Sequence, residues 1–123
     1  MANAQLTSKI IGSAMRVHSM VGPGLLESAY REFLHFELVR NGLVVEKEKI
    51  LPATYDSLKV DFGFRIDLLV ENKVVIELKA VDSLLLVHRQ QLLTYLKLGH
   101  YETGLLINFR EAHLRDGIRR VSN

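Results

Sequence analysis

Residues 64–80 read Phe-Arg-Ile-Asp-Leu-Leu-Val-Glu-Asn-Lys-Val-Val-Ile-Glu-Leu-Lys-Ala, which is the pattern of a β-hairpin. Two β-rich runs flank the polar triplet Glu71-Asn72-Lys73, which is typical of a short loop between antiparallel strands. If Val70 pairs with Val74, three further pairs follow: Arg65 with Lys79, Ile66 with Leu78, and Asp67 with Glu77. Side-chain alternation then predicts one wholly apolar face, made of Phe64, Ile66, Leu68, Val70, Val74, Ile76 and Leu78.

The predicted register places two carboxylates, those of Asp67 and Glu77, directly opposite each other. Like charges at Cβ separations of roughly 4.5–5.5 Å are destabilising, and a divalent cation is the most direct compensation. Ligands that are all oxygen suit Mg²⁺ or Mn²⁺. Lys79 would point toward the same ion or its water. A slip of one residue would separate the two acids. The alternative is an exposed hairpin face with a cross-strand ion pair.

Length and composition exclude several classes of protein. A chain of 123 residues, 48% hydrophobic and 24% charged, fits one soluble globular domain over residues 1–123. The absence of cysteine excludes disulfides and thiolate zinc sites. With no apolar signal core and no run of about 20 apolar residues, we expect a cytoplasmic protein without a membrane segment. The net charge of +2 slightly favours an anionic partner.

Two helices are predicted before the hairpin. Residues 4–21 carry an apolar stripe at helical spacing and end at Gly22-Pro23-Gly24. Residues 25–40 form the second helix, whose apolar side includes Glu27 in its first turn. The helix dipole favours an anion there, so Glu27 has a purely structural interpretation besides a functional one.

The first strands are predicted from short β-rich runs. Residues 44–51 form a strand that Pro52 is expected to end. Residues 58–70 form the strand that enters the hairpin, with Gly63 as a candidate bulge.

Helix, strand and edge-strand patterns follow the hairpin. Residues 84–98 predict a helix capped by Asp82 or Ser83, and a helical wheel places three polar side chains on its sheet-facing side: His88, Gln91 and Tyr95. These groups can equally be polar core residues satisfied by hydrogen bonds. The run 105–109 should pair in parallel with 74–80, because strand–helix–strand units have right-handed parallel connections. Residues 118–122 predict an edge strand.

The order of these elements resembles the PD-(D/E)xK nuclease superfamily, with Asp67 and the triplet Glu77-Leu78-Lys79 on the central hairpin. The run Gly24-Leu25-Leu26-Glu27-Ser28-Ala29-Tyr30 is similar to the motif that names the bacterial GxxExxY family within it. The resemblance spans roughly residues 9–122. It implies an α/β (α+β) fold: a restriction-endonuclease-like αβββαβ core, a mixed central sheet flanked by helices, and an extra N-terminal helix.

The resemblance also implies roles for the hairpin residues. Asp67 and Glu77 would be the metal-binding carboxylates, and the backbone carbonyl of Leu78 would be a further ligand. Lys79 would orient or activate the attacking water.

Three further residues match features of particular nuclease branches. Glu27 corresponds to an extra acidic residue on the helix before the sheet, where it would take part in metal binding or catalysis. Gln91 and Tyr95 fit the Q-x-x-x-Y pattern of exonuclease-like branches. The chain departs from the superfamily pattern in one respect, since no Pro-Asp pair precedes the strand.

The function expected from this pattern is metal-dependent hydrolysis of nucleic-acid phosphodiester bonds, with DNA favoured over RNA and Mg²⁺ or Mn²⁺ as cofactor. A non-catalytic nucleic-acid-binding module and a structural or regulatory homo-oligomer are the alternatives. The small size of the chain favours a homodimer, because few elements remain to clamp a duplex.

Overall fold

Three helices and five strands form an α+β fold in the computed structural model, which describes residues 2–123. The helices are α1 Ala4–Val21, α2 Glu27–Arg40 and α3 Leu86–Gly99. The strands are β1 Val45–Tyr55, β2 Leu58–Val70, β3 Val74–Lys79, β4 Thr103–Asn108 and β5 Ile118–Ser122. None of the helices within residues 2–123 combines the length and apolarity needed to span a membrane.

The five strands form one mixed sheet in the order β1-β2-β3-β4-β5. Only the β3–β4 pair, which is joined through α3, is parallel; the other three neighbouring pairs are antiparallel. The expected restriction-endonuclease-like core, the parallel final pair and the edge strand near the C-terminal end are therefore confirmed.

Both faces of the sheet are covered. One core lies under α1 and α2 and includes Ile10, Tyr30, Leu34 and Leu38. The other lies under α3 and includes Leu92 and Leu96. Central strands buried on both faces are expected to be apolar throughout, and every residue of β4 is buried.

The hairpin register is confirmed where the β2–β3 ladder is continuous, from Val70↔Val74 to Leu68↔Ile76. The prediction of a single apolar face is wrong at the end of the hairpin far from its loop, because Phe64 and Ile66 pack in the α3 core. Opposite this point Glu48 of β1 has a left-handed backbone, with φ of 52°. We attribute the change of face to this local irregularity, which interrupts simple alternation.

We expected Pro52 to end the first strand, but it lies inside β1. Because β1 is an edge strand, the missing N–H of proline is tolerated there. The β1–β2 register shifts between Leu51 and Ala53, so that three residues of β2, 61–63, lie opposite Pro52 alone, which confirms the bulge at Gly63. A Cβ on Gly63 would lie 2.2 Å from the Cβ of Ala53.

The third helix differs most from its prediction. It begins at Leu86, and the N–H of Leu85 donates to Nδ1 of His88 (3.0 Å), which replaces the expected cap from Asp82 or Ser83. Gln91 is exposed, so its predicted sheet-facing position is wrong. Apolar residues occur on every side of this helix, and hydrophobic periodicity therefore does not select a face.

We predict opposite effects for two glycine-to-alanine substitutions. Gly63→Ala should lower the free energy of unfolding by about 1–3 kcal/mol, because the new methyl group overlaps Ala53. Gly12→Ala, within α1, meets no atom within 4 Å and should raise it by about 0.5–1 kcal/mol. Urea unfolding measures both. Equal effects of the two substitutions would contradict the close approach at the bulge.

Candidate active site

The β2–β3 ladder stops at the point where the two predicted metal-binding acids lie. Beyond the Leu68↔Ile76 pair, side-chain carboxylates take the place of backbone carbonyls as hydrogen-bond acceptors between the two strands. The N–H of Asp67 donates to Oε1 of Glu77 (3.2 Å), and the N–H of Leu78 donates to Oδ2 of Asp67 (2.8 Å). Each acid thus binds the main chain of the opposite strand, and the two acids face each other across the gap as the sequence predicts.

The Glu77 carboxyl group is the most perturbed titratable group of the site. Only 6% of the residue is exposed. Burial first, and then the negative charge of Asp67, raise the pKa of Glu77 to about 8. The N–H of Asp67 and the Lys79 ammonium oppose this rise but do not cancel it. The site therefore holds a carboxyl pair that lacks sufficient positive charge.

Lys79 lies beside this pair at the end of β3. Its side chain is half-buried, and its carbonyl accepts a hydrogen bond from the N–H of Phe109 (2.9 Å), which fixes the backbone against the end of β4. Within residues 2–123 it forms no ion pair at 4.0 Å or less. Its charge nevertheless opposes the rise in the pKa of both Glu27 and Glu77. The ammonium group is therefore not held in an ion pair within the described part of the chain.

Glu27 brings a third carboxylate to the site from the first residue of α2. Burial raises its pKa, and the charge of Asp67 adds to the rise. The Lys79 ammonium and the N–H of Ala80 act in the opposite direction. These mutual effects show that the charges of Glu27, Asp67 and Lys79 influence one another, while the role of Glu27 in the site stays a prediction.

A buried tyrosine holds the turn that precedes Glu27. The hydroxyl of Tyr30 donates to the carbonyl of Gly22 (2.5 Å) and accepts from the N–H of Leu25 (3.0 Å). Its ring stacks on Phe109 with 4.4 Å between centroids. Because Phe109 also binds the Lys79 carbonyl, one contact chain connects the turn before Glu27 to the end of β3.

The two residues of the Q-x-x-x-Y pattern have different surroundings. Tyr95 stacks on Phe64 at 4.8 Å, and its pKa is raised by burial and then by the charges of Glu77 and Asp67. Gln91 is exposed and hydrogen-bonds to none of the other site residues. The structure therefore brings Tyr95, but not Gln91, to the acids.

Asn108 supports the site and was missed in the sequence. It is fully buried, and its side-chain amide accepts from the N–H of Val81 (3.0 Å) and donates to the carbonyl of the same residue (2.8 Å). These bonds hold the chain just after Lys79. The available signal was an amide side chain inside an otherwise apolar strand, since a buried amide requires partners.

The donor set fits a hard cation better than zinc. Within residues 2–123, no three side chains of His, Cys, Asp or Glu form a cluster that could hold a metal. The gap instead offers the oxygens of Asp67 and Glu77. The carbonyl of Leu78 points the same way as its N–H, toward β2. Mg²⁺ is commonly bound through one or two carboxylates, with waters and substrate phosphates as the remaining ligands.

The raised pKa of Glu77 predicts a pH-dependent stability in metal-free buffer. A group whose folded pKa exceeds its unfolded value stabilises the fold fully below the unfolded pKa, near 4.5, and loses this contribution as the pH rises through about 8. Glu77→Gln keeps an acceptor for the N–H of Asp67 without the charge. Between pH 4.5 and 8, the wild type should lose at least about 1.4 kcal/mol relative to this variant.

Urea unfolding in EDTA across this pH range measures the difference. Glu102→Gln, a substitution at an exposed carboxylate, serves as the control and should follow the wild-type profile. If the free energy of unfolding changed with pH in the same way for Glu77→Gln and the wild type, the pKa of Glu77 would not be raised in the folded protein.

Comparison with known proteins places the chain in a family. A family model described as the PD-(D/E)XK nuclease superfamily matches residues 4–121, a range that contains all three helices and the hairpin. No match was found among curated proteins or among solved structures. The chain belongs to the PD-(D/E)XK nuclease superfamily.

Proposed function

We propose that this protein is a metal-dependent phosphodiesterase that cleaves nucleic acid, with DNA rather than RNA as substrate. Membership of the nuclease superfamily supports nuclease-like chemistry. The observation that carries the proposal is the pair of carboxylates inserted between β2 and β3, with the Lys79 ammonium group two residues beyond Glu77 on β3. Such a site combines oxygen ligands with a positive charge, which is what a phosphodiester requires.

In this mechanism Asp67, Glu77 and the Leu78 carbonyl would hold Mg²⁺ or Mn²⁺. The ion would supply Lewis-acid polarisation of the phosphoryl group and compensate the two carboxylates. Lys79 places a point positive charge near the same phosphate oxygens, where it orients the attacking water and stabilises developing charge. Glu27 adds a carboxylate whose charge interacts with those of Lys79 and Asp67, and there it would take part in metal binding or catalysis.

Gln91 and Tyr95 act on the substrate in this proposal. The charges of Glu77 and Asp67 act on the Tyr95 hydroxyl, and this hydroxyl donates a hydrogen bond to a phosphate bound beside the two acids. Gln91, which is exposed on α3, contacts nucleic acid that extends beyond the site.

Four broader expectations also remain our proposals. The contacts of Tyr30 and the position of Glu27 give a structural reason for the GxxExxY motif and support placement in that family. We further propose a single domain over residues 1–123, a cytoplasmic location and a homodimer.

Cleavage assays test the proposed reaction. Asp67→Asn, Glu77→Gln and Lys79→Ala should each lower the rate of cleavage of labelled DNA in Mg²⁺ or Mn²⁺ by about 10²–10³-fold, with circular dichroism unchanged. Asp61→Asn removes an exposed acid from the same strand and should retain activity. Duplex, single-stranded and branched DNA are assayed in parallel with RNA. A wild type inert on all of these would contradict the proposal. Salt-dependent binding that survives EDTA and Lys79→Ala would indicate a non-catalytic binding module instead.

Metal binding has a readout that does not depend on activity. Mn²⁺ at 100 times its dissociation constant should stabilise the wild type by about 2.7 kcal/mol, a shift of several degrees in Tm. At one fixed Mn²⁺ concentration the stabilisation should be larger at pH 8 than at pH 5.5, because ionised Glu77 is the better ligand. Asp67→Asn should abolish it, whereas Asp61→Asn should not. A Tm shift that Asp67→Asn leaves intact would place the ion elsewhere.

A further inference from the structure

The outer part of the β1–β2 ribbon carries an exposed apolar face that no other element within residues 2–123 covers. We call residues 53–62 the arm. Three facing pairs join its two strands: Ala53↔Val60, Thr54↔Lys59 and Tyr55↔Leu58. The β2–β3 ladder covers only residues 68–70 of β2, so no third strand extends along the arm. A two-stranded ribbon alone is marginally stable in water, and an uncovered one therefore favours a partner.

The pairing separates the side chains of the arm by polarity. Directly paired residues share a face, and faces alternate along a strand. Ala53, Tyr55, Leu58 and Val60 therefore form one apolar face, while Thr54 and Lys59 lie on the other. Tyr55 is 84% exposed and Leu58 62% exposed. Phe62, in the adjoining bulge, is 79% exposed. Such a concentration of exposed apolar side chains marks an interaction surface.

We propose that this apolar face of the arm is the dimer interface, on which the arm of a second copy of this chain packs face to face. It deepens the homodimer of the proposed function. The apolar face carries no cation, since Lys59 lies on the opposite side, and this composition does not suit a phosphate backbone. A surface that is apolar over its whole extent suits an identical surface, which is what a twofold axis provides.

The area available is adequate for such an interface. An aromatic side chain buries about 150–250 Å². Tyr55 on the apolar face and Phe62 in the adjoining bulge, counted on both protomers, would contribute about 600–1,000 Å² if all four side chains were fully covered. A stable interface buries roughly 1,200–2,000 Å² in total, and the aliphatic side chains and backbone of two arms can supply the remainder.

The outer edge of β1 is a poorer alternative for association. Pro52 lies on this edge without an N–H, and charged residues occupy 46–49. Both features oppose edge-to-edge pairing of strands. A second apolar surface lies between α1 and α2, where Phe36 is 61% exposed, but the Arg40 guanidinium lies 5.4 Å from its ring centroid and covers part of it. Within residues 2–123, no cation–π contact of this kind covers the aromatic rings of the arm.

Sedimentation equilibrium on the full chain tests the proposal without any activity measurement. The wild type should have twice the 14.0 kDa mass of one chain. Replacement of Tyr55, Leu58 and Phe62 by serine should yield a monomer with unchanged circular dichroism. Phe36→Ser, which removes an apolar side chain from the other surface, should remain a dimer. A monomeric wild type, or a dimer that only Phe36→Ser disrupts, would overturn the proposal.

Cross-linking provides a second measurement that requires no destabilising change. The chain contains no cysteine, so Leu58→Cys introduces a single thiol in the arm. Mild oxidation or a short bis-maleimide should give a covalent dimer, while Ser8→Cys, on the exposed side of α1, should not. Equal cross-linking of both would contradict an arm–arm contact. Loss of nucleic-acid binding in the serine variant, with a wild type that is monomeric, would assign the arm to substrate instead. Because neither mass nor cross-linking depends on cleavage, failure of this proposal is distinguishable from failure of the nuclease proposal.

Discussion

The close approach of two carboxylates between β2 and β3 is the constraint on which the site depends. Asp67 and Glu77 interrupt a backbone ladder and take over its hydrogen bonds, at the cost of burying like charges side by side. Burial raises the pKa of Glu77, and the nearby ammonium of Lys79 only partly offsets this. An arrangement of this kind is unfavourable for a fold alone and favourable for a site that receives a cation.

The rest of the structure holds these groups in place from several directions. The two cores fix the strands from both faces of the sheet. Phe109 connects the β3 backbone at Lys79 to the ring of Tyr30, which in turn fixes the turn before Glu27. Asn108 holds the chain just after Lys79. Function thus rests on backbone geometry that the central strands and the start of α2 define together.

Much of this arrangement follows from sequence, for identifiable reasons. The hairpin register was predictable because a polar triplet separates two strongly β-prone runs, and the register alone brought Asp67 and Glu77 together. The side of the sheet on which Phe64 and Ile66 pack was not predictable, because it depends on the irregular backbone at Glu48. The orientation of α3 was ambiguous, since its leucines surround the helix, so Gln91 was misplaced. The hydrogen bonds between the Asn108 side chain and the Val81 backbone could not be predicted, because they depend on where β4 ends.

A crystal structure of the protein soaked in Mn²⁺ at pH 8 tests the central claim most directly, because anomalous scattering locates the ion. We expect a peak between the carboxylates of Asp67 and Glu77, within coordination distance of the Leu78 carbonyl. A soaked crystal with no peak there, and with Glu77 still accepting the N–H of Asp67, would contradict it.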